Sequence, residues 1–197
     1  MVTKSDIYLG NPNLKKANTQ QEFTKEHISE FLKCKDDPVY FTHEHIKIVN
    51  VDEGLVNFEM YPFQEKLITN FHKHRFNICK MPRQTGKSTT VVSYLLHYAI
   101  FNDNVNIGIL ANKAATARDL LGRLQLAYEN LPSWMQQGIV AWNKGSMELE
   151  NGSKIIAAST SASAVRGMSF NIIFLDEFAF VQNHLADDFF ASVYPTI

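Results

Sequence analysis

A chain of 197 residues with 45% hydrophobic and 20% charged content is long enough for one well-buried core with a smaller attachment, and its composition argues against disorder. A formal net charge of −1 excludes a protein that coats nucleic acid by bulk charge, while leaving room for a local basic patch. The two cysteines, Cys34 and Cys79, stand far apart and read as reduced thiols, not as a disulfide or a metal-binding pair.

Residues 1–21 are polar and lack the apolar core of a signal peptide, and residues 1–18 are expected to form a flexible arm. Thr19-Gln20-Gln21-Glu22 has the form of a capping start for a helix running to about residue 33, which Asp36-Asp37-Pro38 then stops. His43 and His45 alternate on a predicted extended segment beside Glu44, without the further ligands that a metal site needs. Apolar-alternating segments at 46–51 and 55–60 flank the turn signature Asp52-Glu53-Gly54 and predict a hairpin. Residues 1–60 are accordingly assigned to a small N-terminal lid subdomain and residues 61–197 to the main unit.

From Tyr61 the pattern becomes helix (63–73), strand (76–81), helix (87–101), strand (105–111) and helix (114–129). Such alternation implies an α/β fold with a mostly parallel sheet flanked by helices, and a glycine-lysine-serine loop at 86–88 between strand and helix makes the expected type a P-loop NTPase. His72-Lys73-His74-Arg75, before the first of these strands, reads as a solvated turn. The apolar helix over 91–101 contains His97 and is too short to span a bilayer. Short strands follow at 139–142, 146–149 and 154–158, the last two joined by Glu150-Asn151-Gly152-Ser153 as an Asn-Gly hairpin. A strand at 171–175 comes next, then a helix from about Phe178 or His184. A sheet of this type normally carries one more strand after the acid-bearing one, so the chain is expected to be the front part of something larger.

The chemistry concentrates at two junctions. Where strand 76–81 meets helix 87–101 the sequence reads Met81-Pro82-Arg83-Gln84-Thr85-Gly86-Lys87-Ser88-Thr89, the place for a phosphate loop. Backbone N–H groups and the positive helix end would face an anion there, with Lys87 reaching the terminal phosphates and Ser88 reaching Mg²⁺. The common pattern has glycine where this chain has Met81. The second junction is Asp176-Glu177, at the end of the apolar run Ile172-Ile173-Phe174-Leu175. Acids there are costly without a cation, so Asp176 is expected to hold Mg²⁺ directly or through water, and Glu177 to orient the attacking water. Separately, each piece has a plainer reading, as a tight turn or as a helix cap. Together with Lys87 and Ser88 they predict an ATP and Mg²⁺ site.

With these residues in hand, the chain resembles the ATPase domain of the large terminase subunit, the DNA-packaging motor of tailed bacteriophages, most closely the contractile-tailed type. The resemblance rests on Asp37-Pro38-Val39-Tyr40-Phe41, Tyr61-Pro62-Phe63-Gln64, the loop 82–88, Trp142-Asn143-Lys144-Gly145-Ser146, Val165-Arg166-Gly167 and Phe174-Leu175-Asp176-Glu177. In that family a missing first glycine is usual, so Met81 fits it. The resemblance implies that Gln64 contacts the adenine edge and that Arg83, Gln84, Thr85, Gly86, Lys87, Ser88 and Thr89 hold the phosphates. Arg83 sits where a guanidinium would meet the γ-phosphate in cis. Arg166 resembles an arginine that reaches a neighbouring subunit's nucleotide, a plain salt bridge or loop anchor being the equal alternative. Double-stranded DNA, a portal protein, a small terminase subunit and a homo-oligomeric ring on the procapsid are the implied partners, with no membrane. The implied location is the cytoplasm of the infected host. Two other readings stay open: a helicase-like translocase, and a nucleotide-binding or assembly module idle without a further C-terminal part. Asn112-Lys113, after the strand at 105–111, is either a DNA-contacting loop or a helix cap with an exposed lysine.

Overall fold

The computed structural model describes residues 6–50, 52–160, 167–181, 186–187 and 189–191. Where the sequence predicts a flexible arm, the chain instead forms a hairpin of β1 (Ile7–Tyr8) and β2 (Asn11–Lys15). Leu14 is buried, and the Gln136 side chain pins the strand by accepting from Lys15 N–H (3.1 Å) and donating to the Asn13 carbonyl (3.0 Å). The signal was hidden because only one side chain of β2, Leu14, carries the burial. Leu14→Ala is therefore expected to destabilise the chain by about 2–5 kcal/mol, read as a lower urea midpoint with unchanged slope. An unchanged midpoint would return this segment to a loose arm.

Helix α1 (Lys25–Asp36) starts later than the Thr19 capping signature suggested. Thr24 is its cap: its hydroxyl accepts from His27 N–H at 3.2 Å, and His27 Nδ1 accepts from Thr24 N–H at 3.4 Å. A histidine thus takes the place that Glu or Gln fills in the usual capping box. Asp37-Pro38 ends α1 and also opens α2 (Pro38–His45), where an extended segment was predicted. The Asp37 carboxylate accepts from Val39 and Tyr40 N–H at 2.9 and 3.0 Å, and proline fits the first helical turn because its missing N–H is not needed there. The predicted hairpin follows as antiparallel β3 (Lys47–Asn50) and β4 (Gly54–Asn57), then α3 (Pro62–Lys73).

The main sheet has five strands in the order β6-β7-β8-β5-β9. They are β5 (Asn106–Ala111), β6 (Ile139–Trp142), β7 (Ser146–Leu149), β8 (Lys154–Ser159) and β9 (Ile172–Asp176). β5 runs parallel to β8 and β9, whereas β7 runs antiparallel to β6 and β8, so the sheet is mixed and not mostly parallel. The β6-β7-β8 meander needs only tight turns, whereas the parallel partners of β5 require crossovers. Helices α4 (Lys87–Phe101) and α5 (Ala114–Glu129) pack with the sheet. α4 is apolar nearly all round, and Leu95, Leu96 and Ile100 share one core with Leu121 and Leu124 of α5, Ile107 and Ile109 of β5, and Phe41, Ile46 and Ile68 from the preceding elements. No helix among the described residues is long and apolar enough to cross a membrane.

One predicted core strand does not form. Residues 76–81 lie outside every sheet; Ile78 is 99% exposed, Phe76 59%, and Cys79 only half-buried. Apolar residues are present, but a strand also needs an edge to pair with, and β9 pairs only with β5 among the described strands. After β9 the chain makes a 3₁₀ turn, Phe178–Phe180, and residues 186–187 and 189–191 are helical, in keeping with the predicted helix from about His184, whose start lies outside the described residues.

Candidate active site

Because β5 and β9 are parallel and Ala111 stands in register with Asp176, the segments leaving both strands emerge at the same end of the sheet. There they line a cleft of about 180 Å³ with Asn112, Lys113, Thr116, Asp176 and Glu177. Lys87, in the first turn of α4, is near enough for its charge to act on Asp176. The start of α4 is thus near the acid-bearing strand end, while the cleft itself is lined by no residue of the loop. Open α/β sheets bind ligands in this position, beyond the carboxyl ends of parallel strands.

The loop entering α4 is shaped by two left-handed residues, Gln84 (φ 61°) and Gly86 (φ 72°), the latter capping the helix. Thr90 N–H makes the bond to Gly86 O (2.9 Å), which leaves the N–H groups of Lys87, Ser88 and Thr89 without partners inside the helix. Such a terminus attracts anions through its free donors and its dipole. Gln64 holds the loop from behind. Its side chain is buried, with Nε2 donating to Thr85 O at 3.0 Å and Oε1 accepting from Tyr61 N–H at 2.8 Å. One amide hydrogen is left for the adenine contact that the resemblance implies. A Cβ on Gly86 would overlap Gln64 Nε2, so the left-handed φ favours glycine there and any other residue would also have to displace the Gln64 amide.

Asp176 is 6% exposed, and burial pushes its carboxyl upward from the ordinary aspartate value. Lys87 opposes that shift, Glu177 reinforces it, and Arg123 of α5 draws it down from further away. Glu177 is exposed and holds a left-handed backbone (φ 50°), an uncommon conformation for a non-glycine residue. Oxygen donors on Ser88 and Asp176 beside a positive helix end suit Mg²⁺, which takes one or two protein oxygens and otherwise water and phosphate. A carboxyl whose folded value is raised opposes folding wherever it is ionised, and the penalty vanishes once pH falls below its unfolded value. Asp176→Asn is therefore expected to melt higher than wild type at neutral pH without Mg²⁺, the gap closing toward about pH 3–4. A lower melting temperature at neutral pH would mean that Asp176 is a structural anchor.

Among the other expected residues, Arg83 and Gln84 are exposed on the loop, Thr85 donates from its hydroxyl to Pro82 O (3.1 Å), and Ser88 and Thr89 are half-buried in the first turn of α4. Arg166 lies outside the described residues. The sequence reading missed Thr116 and Arg123, which lie seven positions apart on α5, a spacing that returns to one helix face. The Lys113 position was noted, and it lines the cleft.

Fold and site define an α/β protein that gathers a helix-capping glycine loop and a buried acidic strand end on one side of a mixed sheet. The crystal structure of the HK97 bacteriophage large terminase has the same fold, with a TM-score of 0.63 at 17% identity over 80% of this chain and 34% of that one. The chain thus spans about a third of the length of that terminase. The family described as "Terminase large subunit, T4likevirus-type, N-terminal" matches residues 78–187, more than half of the 197, and the chain belongs to it.

Proposed function

We propose that the chain is the ATP-hydrolysing motor part of a phage large terminase, coupling hydrolysis to movement of double-stranded DNA into a procapsid. The observation that carries this reading is that Lys87, opening α4 behind Gly86, is near enough for its charge to act on Asp176 at the end of β9. Free N–H groups at the start of α4 bind the phosphate oxygens, and the Lys87 ammonium neutralises charge on the terminal phosphates. Ser88 and Asp176 supply the oxygens for Mg²⁺, which when bound neutralises charge between the β- and γ-phosphates. Glu177, exposed beside Asp176, accepts a hydrogen bond from the attacking water and aligns it with the scissile bond. Arg83 stabilises the γ-phosphate charge in cis, and Arg166 does so toward a neighbouring subunit's nucleotide. Gln64 joins the adenine edge to the loop backbone through Thr85.

The partners that fit this role are double-stranded DNA, a portal protein, a small terminase subunit and further copies in a ring, in the cytoplasm of the infected host. Phosphate release from ATP, measured with double- and single-stranded DNA, tests the reading: stimulation by duplex DNA supports a packaging motor, and a preference for single strands favours a helicase-like translocase. A second reading has its own observation. Residues 76–81, which lead into the loop, join none of the described sheets, and Gln64 holds the loop backbone through Thr85. That favours a nucleotide-binding module whose turnover depends on further sheet supplied by other chain.

A further inference from the structure

Away from the cleft, three side chains of metal-binding type converge where α1 meets the end of α2. Glu30 and Cys34 stand four positions apart on one face of α1, and His45 closes α2 opposite them. Glu30 Oε1 lies 3.0 Å from His45 Nε2 and 3.6 Å from Cys34 Sγ, and one ligand atom from each residue falls within 4.8 Å of the other two. A tetrahedral zinc ion with bonds of about 2.0–2.3 Å places its ligand atoms roughly 3.3–3.7 Å apart. Adjustments of about 1 Å would bring this trio to that geometry.

We propose that Glu30, Cys34 and His45 bind a thiophilic divalent cation, zinc foremost, leaving one position for water. Charge balances: a thiolate and a carboxylate neutralise the ion, and the imidazole binds neutral. The thiol proton of Cys34 leaves to solvent on binding, and His45 coordinates through Nε2 with its proton on Nδ1. A magnesium ion would prefer an all-oxygen set, so the sulfur and nitrogen select against it.

The surroundings orient the ligands as metal sites require. The Tyr40 hydroxyl donates to the second carboxylate oxygen of Glu30 at 3.2 Å. The His45 ring is held between Phe41 and Trp134, each with its ring centre 6.1 Å away. His97 Nε2 donates to the Cys34 carbonyl at 2.8 Å, fixing the backbone that carries the thiol. Cys34 is fully buried, and burial beside Glu30 raises its thiol to about 12, so without a metal it stays protonated and inert. Glu44 adds negative charge nearby, whereas Lys33, seated over the Tyr40 ring at 3.5 Å, opposes a cation. In sequence the two cysteines stand far apart and His43 and His45 lack further ligands; it is the helical form of 38–45 that carries His45 to the Glu30 and Cys34 pair of α1. The site is independent of the nucleotide reading and would act as a bolt between α1 and α2.

Cobalt(II), a spectroscopic stand-in for zinc, tests it on the full chain without an affinity tag and with excess Mg²⁺. The expected result is a thiolate-to-cobalt charge-transfer band that saturates at one equivalent, is displaced by one equivalent of zinc, and persists in Cys79→Ser. It should vanish in Cys34→Ser, and Glu30→Gln or His45→Gln should weaken zinc affinity by at least about ten-fold. Circular dichroism checks that each variant is folded; because Cys34 is buried, the more exposed Glu30 and His45 variants keep the test informative should Cys34→Ser unfold. No band in folded wild type, a band lost in Cys79→Ser, or zinc affinity unchanged in both the Glu30 and His45 variants would overturn the site.

Discussion

Glu177→Gln is expected to leave Mg·ATP affinity nearly unchanged and to cut hydrolysis by about 10²–10⁴-fold, the range for a positioned acid–base group. The side chain is exposed at the cleft and makes no core contact on which folding would depend. Glutamine keeps its size and its hydrogen-bonding reach but lacks the charge that polarises water. Asp176, one residue earlier, is buried and closes β9, so in the proposed mechanism the buried acid is the one assigned to the cation and the exposed acid the one assigned to the water. Single-turnover phosphate release measured beside fluorescent-nucleotide binding separates the two effects. Unimpaired release in the variant would remove Glu177 from the mechanism.

Gly86→Ala should have the largest effect on binding. The left-handed φ of 72° costs a non-glycine residue about 1–2 kcal/mol, and the new Cβ would press on Gln64 Nε2. Gln64 cannot swing aside without giving up its bonds to Thr85 and Tyr61. Either outcome moves the loop backbone away from the phosphates, and a displacement of the order of 1 Å is worth about 10²-fold in a positioned site. A melting temperature only a few degrees lower, with nucleotide affinity reduced by about that factor, is the expected pattern. Adding Gln64→Ala to Gly86→Ala relieves the clash but not the φ strain, so the pair should be non-additive in stability. Strict additivity would mean that the two residues do not press on each other.

The parts of the fold that were legible are those whose signals are local. α4 and α5 run over the expected residues because long uninterrupted apolar-rich stretches mark both, with a capping glycine, Gly86, opening α4. β6, β7 and the Glu150-Asn151-Gly152-Ser153 hairpin were legible for the same reason. What failed depended on partners. The apolar content of 76–81 says nothing about whether an edge is available, and Ile78 is exposed with none of the described strands beside it. β2 carries one buried apolar residue and takes its anchor from Gln136, a contact across 121 positions that no window can see. At the candidate site, the placement of Gly86, Lys87 and Ser88 at a helix start and of Asp176 and Glu177 at a strand end was legible from local pattern, while their chemical roles belong to the proposal. The clamp between Gln64 and Thr85 was not, since an amide on one helix gives no sign of which backbone it will hold.

The convergence of loop and acids is a claim about nucleotide chemistry, and Mg²⁺-dependent ATP binding and hydrolysis by the 197-residue chain, run beside Lys87→Ala, tests it most directly. The prediction is saturable Mg·ATP binding by the wild type, weakened at least about ten-fold in the variant because an ammonium paired to phosphate is lost, with any hydrolysis abolished. Equal affinity in both proteins, or no nucleotide binding by the folded wild type, would contradict it.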